Sequence, residues 1–181
     1  MRIIAGRWGG MRLAAVGKGD AGAHLRPTPD RVRESLFSML GHRGVIEGAR
    51  VLDLFSGTGA LGLEALSRGA TEAVLIEKGR VGQRLISENI AKLGTDAATL
   101  IRGDATRLGT CKGDLFDLVF LDPPYGQKLG EKALMSARDW IANGATVVWE
   151  EEAFQTPPPG YVPLDQRRFG GVCVTLLERS D

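Results

Sequence analysis

The chain has 181 residues, 43% apolar and 25% charged, with a formal net charge of +1 and two cysteines. This fits one compact domain with an ordinary core; no stretch reaches the roughly 18 uncharged apolar residues of a membrane span, and the arginine-dotted start lacks the apolar run of a signal peptide. Cys111 and Cys173 stand apart without metal-ligand spacing, so the expectation is a soluble, cytoplasmic protein with reduced thiols and no metal.

The charge is unevenly spread. Residues 1–33 carry seven basic side chains (Arg2, Arg7, Arg12, Lys18, Arg26, Arg31 and Arg33) against Asp20 and Asp30, a balance of +5 that leaves −4 for the rest. A basic arm on a slightly acidic body can hold phosphates, although a solvated arginine face is an equally open reading at this point. Within residues 1–27, strand-like pieces at 2–5 and 11–15 flank Gly9-Gly10 and predict a hairpin or arm. Residues 28–181 read as the main domain. Thr28-Pro29-Asp30 predicts an N-cap and first turn, Val32, Leu36, Phe37 and Leu40 trace an apolar helix face, and Gly41 is the expected stop.

From Arg50 onward, apolar runs alternate with helical patterns, which predicts βα units around a mainly parallel sheet. The candidate strands are 50–54, 73–77, 99–103, 115–121 and 146–150. A helix over 61–67 ends before Gly69, and Val81, Leu85, Ile86 and Ile90 mark the face of another. Pro157-Pro158-Pro159-Gly160 is a turn, and residues 162–167 and 172–178 predict a closing antiparallel pair around Gly170-Gly171.

The first strand empties into Asp53-Leu54-Phe55-Ser56-Gly57-Thr58-Gly59-Ala60-Leu61-Gly62, with Glu77 ending the second strand. Glycines let the backbone turn sharply and let a ligand lie against main chain, and a carboxylate at the position of Glu77 can hold ribose hydroxyls. Asp53 discriminates between cofactors. A carboxylate there repels a pyrophosphate but suits a ligand carrying an ammonium and a sulfonium, which favours S-adenosylmethionine (SAM) over NAD; a carboxylate that merely stiffens the loop stays open beside it. Asp104, followed by Ala105, falls on the same sheet edge, where it can accept from an adenine amino group or cap a helix.

The fourth strand leads into Asp122-Pro123-Pro124-Tyr125. The prolines stiffen the turn and offer no amide donors, so the Asp122 carboxylate and Pro123 carbonyl remain as acceptors, with Tyr125 as a flat surface. Two acceptors bonded to the hydrogens of an aromatic amine free its nitrogen lone pair for attack, and an extruded base can stack on the tyrosine.

At these residues the chain resembles the amino-methyltransferases, and more narrowly the RsmD family, bacterial enzymes that methylate the 2-amino nitrogen of one guanine in small-subunit (16S) ribosomal RNA. The match runs through residues 1–6, 26–34, 53–69, Glu77-Lys78 and 116–125, with Phe169 where the family pattern has tyrosine. The resemblance implies a Rossmann-like α/β fold, seven strands mostly parallel with an antiparallel C-terminal strand. It implies SAM held by Asp53, Phe55, Gly57, Gly59, Glu77, Lys78, Asp104 and Ala105, and the target base by Asp122, Pro123, Pro124 and Tyr125. RNA would meet Arg2, Arg7, Arg12, Arg26, Arg31 and Arg33, on a small ribosomal subunit whose proteins the arm can also touch, with the enzyme a monomer. Three other readings are weighed against it. An adenine or cytosine amino-methyltransferase of DNA usually needs a larger recognition domain, a dehydrogenase leaves residues 122–125 unused, and a noncatalytic RNA-binding assembly factor has no need of the acceptor loop.

Overall fold

The computed structural model describes residues 1–17, Leu25 and 28–180. Five parallel strands, β1 (Arg50–Leu54), β2 (Glu72–Glu77), β3 (Ala98–Arg102), β4 (Phe116–Leu121) and β5 (Ile141–Glu151), are extended by the antiparallel pair β6 (Tyr161–Phe169) and β7 (Val172–Arg179). The order across the sheet is β3-β2-β1-β4-β5-β7-β6. The seven-stranded, mostly parallel α/β sheet with its antiparallel C-terminal strand is thus as expected from the sequence.

Successive residues of the central strands feed opposite faces, as the two-residue period of a strand requires. Val51, Leu118 and Phe120 join a core with Leu36, Phe37, Leu40, Leu63 and Ile86, while Leu52, Leu54, Val119 and Leu121 join a second with Leu134, Val147, Trp149 and Leu177. Burial on both faces is why these strands read as continuous apolar runs. Helices α1 (Asp30–His42), α2 (Ala60–Ser67) and α3 (Arg80–Leu93) supply the first core, and α4 (Leu129–Ser136) the second. Phe37 of α1 meets Phe120 at a ring-centroid distance of 5.5 Å.

Four details depart from the sequence reading. Thr28 does not cap α1; its hydroxyl donates to Glu150 Oε2 at 3.3 Å, and Pro29 occupies the cap position. The helix passes Gly41 to end at His42, because nothing in this exposed turn forces glycine out of the helical region. β5 starts at Ile141 rather than at residue 146. An irregularity in its pairing with β4, with Gly144 at φ 79°, interrupts the period-two pattern there. Helix α4 has no counterpart in the sequence reading: it contains Gly130, a poor helix former, whose missing side chain admits the Trp149 ring.

The segment 1–17 folds back on itself around the antiparallel bridge Arg2–Arg12, with Ile3 and Leu13 buried. Buried Glu64 of α2 accepts from the Ile4 and Ala5 amides at 2.7 and 3.1 Å, and Asn89 of α3 accepts from the Ala14 amide at 2.6 Å. The segment is therefore held by side chains of two helices in addition to its own backbone bonds.

Candidate active site

Strand order reverses direction between β1 and β4, and ligands of open α/β sheets bind at such a switch point beyond the carboxyl ends of the strands. A cleft of about 880 Å³ opens there. Its walls include Asp53, Phe55, Gly57, Glu77, Lys78, Asp104 and Ala105 on one side of the switch and Asp122, Pro123, Pro124 and Tyr125 on the other. Gly59 is not in the wall.

The loop after β1 is wound tightly. Phe55, Gly57 and Gly59 have φ of 63°, 57° and 79°, and Phe55 is one of two non-glycine residues in this region among those described. Such conformations are sparsely populated and cluster at ligand sites. Glu77 fastens the loop: Oε2 accepts from the Gly57 amide at 2.8 Å and Oε1 from the Gly79 amide at 2.6 Å. Asp53 Oδ2 accepts from the Gly62 amide at 3.0 Å. A Cβ at Gly62 would overlap the Leu75 side chain, so glycine there permits close packing of helix on strand. Asn89 bonds the Thr58 carbonyl as well as Ala14, joining this loop to the N-terminal segment.

The remaining candidates divide between rim and interior. Lys78 and Asp104 form a 2.9 Å ion pair at the cleft edge. Asp104 also caps the short 3₁₀ turn Ala105–Arg107, accepting from the Thr106 amide and hydroxyl. Arg2, Arg7, Arg12 and Arg31 are exposed, with the Arg7 guanidinium 3.8 Å from the Trp8 ring centre. Arg26 lies outside the described residues. Arg33 does not share the exposure of the others: it is fully buried, donating to the Arg2 carbonyl at 2.7 Å and Asp30 at 2.6 Å, with Glu64 at 3.7 Å. Its charge is engaged by half-exposed Asp30, buried Glu64 and main chain.

The family described as Conserved hypothetical protein 95 matches residues 1–178. Ribosomal RNA small subunit methyltransferase D of Escherichia coli (strain K12) is 37% identical, over 99% of this chain and 90% of its own length. The protein of the same name from Haemophilus influenzae is 35% identical over 98% of this chain and 93% of its own. The chain belongs to the RsmD family of methyltransferases. A solved structure of the Escherichia coli protein yhhF superposes with a TM-score of 0.83 at 37% identity, covering 99% of this chain and 98% of that one.

In this RsmD family member the acids Asp53, Glu77 and Glu150 are buried beneath the cleft. Burial pushes the Asp53 carboxyl up from 3.8 to about 8 against the Gly62 bond, with the charges of Glu77 and Glu150 adding to the rise. Glu150, at the end of β5, is raised from 4.5 to about 7 by burial, opposed by Thr28 and Arg33. Asp104 goes the other way, lowered to about 2 by its bonds from Thr106 and Lys78. Buried acids crowded beneath a main-chain cradle favour a ligand that brings positive charge. The donor set therefore fits SAM.

Sequence reasoning did not find Thr28, Met1 or the segment from Phe169 to Val172, all of which line the cleft. The glycine pair at 170–171 marked a turn, but its place at the carboxyl edge follows only from β7 running antiparallel to β5.

Proposed function

We propose that the chain transfers a methyl group from SAM to the exocyclic 2-amino group of a guanine in 16S ribosomal RNA. Its substrate is an assembled or partly assembled small ribosomal subunit, met in the cytoplasm by a monomeric enzyme. One observation carries the reading: the acceptor loop 122–125 and the acids Asp53 and Glu77 line a single cleft. The names of the relatives support ribosomal RNA as the substrate class.

Bound SAM supplies an electrophilic methyl on a positively charged sulfur. The loop 55–58 would give it bare main chain, Glu77 would accept from its ribose hydroxyls, Asp53 would offset its positive charge, and Asp104 and Ala105 would border its adenine. Phe55 and Lys78 close the edges of the same pocket.

On the other side, the Asp122 carboxylate and Pro123 carbonyl accept the two hydrogens of the guanine amine and orient its lone pair at the methyl. Pro124 stiffens the turn, and Tyr125 stacks on the extruded base. Once the methyl has passed to the amine nitrogen, Asp122 would take the proton that the nitrogen sheds and pass it to water. No strong base is needed, so rate comes mostly from holding the partners in line. Arg2, Arg7, Arg12, Arg26 and Arg31 hold RNA phosphates.

The test is transfer of radiolabelled methyl from SAM to unmodified small ribosomal subunits, followed by nucleoside analysis. Label appears as N2-methylguanosine. In Asp122→Ala, kcat falls by about 100- to 1000-fold, the scale of removing one aligned polar group, while SAM affinity holds. Label on adenine or cytosine, or undiminished transfer in the variant, overturns the assignment.

A further inference from the structure

The phosphate contacts proposed above all lie on the N-terminal segment and α1, yet the cleft has another wall. Because β7 runs antiparallel to β5, with Cys173 opposite Glu151, the β6–β7 turn comes back to the carboxyl edge of the sheet. Phe169, Gly170, Gly171 and Val172 line the cleft together with the acceptor loop. Next to this turn, the guanidinium of Arg168 lies 5.6 Å from the ring centre of Phe154, the residue three places beyond the end of β5. Both are exposed, Phe154 at 40%.

We propose that this hairpin tip is a second RNA-binding wall, gripping the strand that flanks the target nucleotide. The proposal rests on the ribosomal RNA reading. Three observations favour RNA as the occupant. A guanidinium held over an aromatic ring presents a planar cation that bonds phosphate on its edge and stacks on a base. The one acid on β6, Asp165, is engaged by Arg43 and Arg167, each at 3.0 Å, so its charge is met without Arg168. Neither Gly170 nor Gly171 has a neighbour within 4 Å of where a Cβ would stand, which leaves room for a sugar-phosphate backbone to approach main chain. An extruded base must be anchored on both sides, since a strand held only upstream swings out of line.

The experiment uses the full chain with Arg168→Glu, Arg168→Gln and Phe154→Leu. Turnover is read on unmodified small ribosomal subunits, and binding on protein-free 16S ribosomal RNA across a salt series. Arg168→Glu raises KM for subunits about tenfold, and it reduces the slope of log affinity against log salt by about one, the value of one phosphate contact. Arg168→Gln and Phe154→Leu give smaller shifts in the same direction, with SAM affinity and Tm at wild-type values. Unchanged KM and slope overturn the proposal. A raised KM on subunits with unchanged binding to bare RNA also overturns it, assigning the patch to a ribosomal protein; a loss that tracks a lowered Tm or weakened SAM binding makes it structural. Absence of transfer to ribosomal RNA by the wild-type enzyme defeats the functional reading alone, because the salt slope is read without turnover.

Discussion

Asp53 is the residue where burial and chemistry conflict most sharply. At 1% exposure its carboxyl titrates near 8 in the folded protein, so between roughly pH 4 and 8 the unfolded chain releases a proton that the folded one keeps. With fewer protons on the unfolded state, stability falls as pH rises through that window. Glu150, raised to about 7, acts in the same sense over a narrower range. Asp53→Asn, which keeps an acceptor for the Gly62 amide, is therefore expected to raise the ligand-free Tm at pH 7.5 and flatten its decline between pH 5 and 8, as thermal melts across that range would show. A bound cation favours the ionised carboxyl, which Asn cannot become, so the variant binds SAM about 10- to 100-fold more weakly, the scale of one charge-assisted bond of about 1.5–3 kcal/mol, measured by titration calorimetry. Asp53 was legible as a cofactor residue from its place after an apolar strand and before glycines. Glu150 was not, because only the β1–β4 and β4–β5 pairings bring the two acids together beneath one cleft.

Among the elements, the N-terminal segment depends on α2 for its position. Glu64 is fully buried, and its two oxygens serve the Ile4 and Ala5 amides and Arg68, with Arg33 close by. Removing one partner of a buried charged network leaves the others uncompensated, at about 3–5 kcal/mol. Glu64→Ala should lose that much in urea unfolding, and the Ile4 and Ala5 amides should exchange hydrogen faster. Glu64→Gln, which retains an accepting oxygen, should lose less on both measures. The sequence marked α2 through its apolar run but gave no sign that an acid inside it faces inward. Glutamate is almost always a surface residue, and its partners here lie 59 and 60 positions away. Arg33 misled for the same reason, since a basic residue on a basic segment reads as exposed until Asp30 and Glu64 are seen to enclose it.

For the whole molecule, the cleft joins segments from both ends of the chain, Met1 and Thr28 at one and Phe169 to Val172 at the other, so a ligand that fills it stabilises the fold as a unit. SAM at a hundred times its Kd contributes about 2.7 kcal/mol, which at about 2–4 °C per kcal/mol for a chain of this size raises Tm by about 5–10 °C. NAD should produce no shift, and differential scanning fluorimetry with both ligands reads the contrast. The sequence by itself determined the βα order, the strand-to-helix glycine loop, the proline loop after the fourth strand and the family. These depend on period, turn chemistry and residues that act where they stand. Only the tertiary structure decided which acids share a low-dielectric floor, that Arg33 serves the interior, and that the β6–β7 turn reaches the cleft. Burial and long-range pairing are properties of how distant segments meet, and local sequence carries no record of the neighbour a side chain will find.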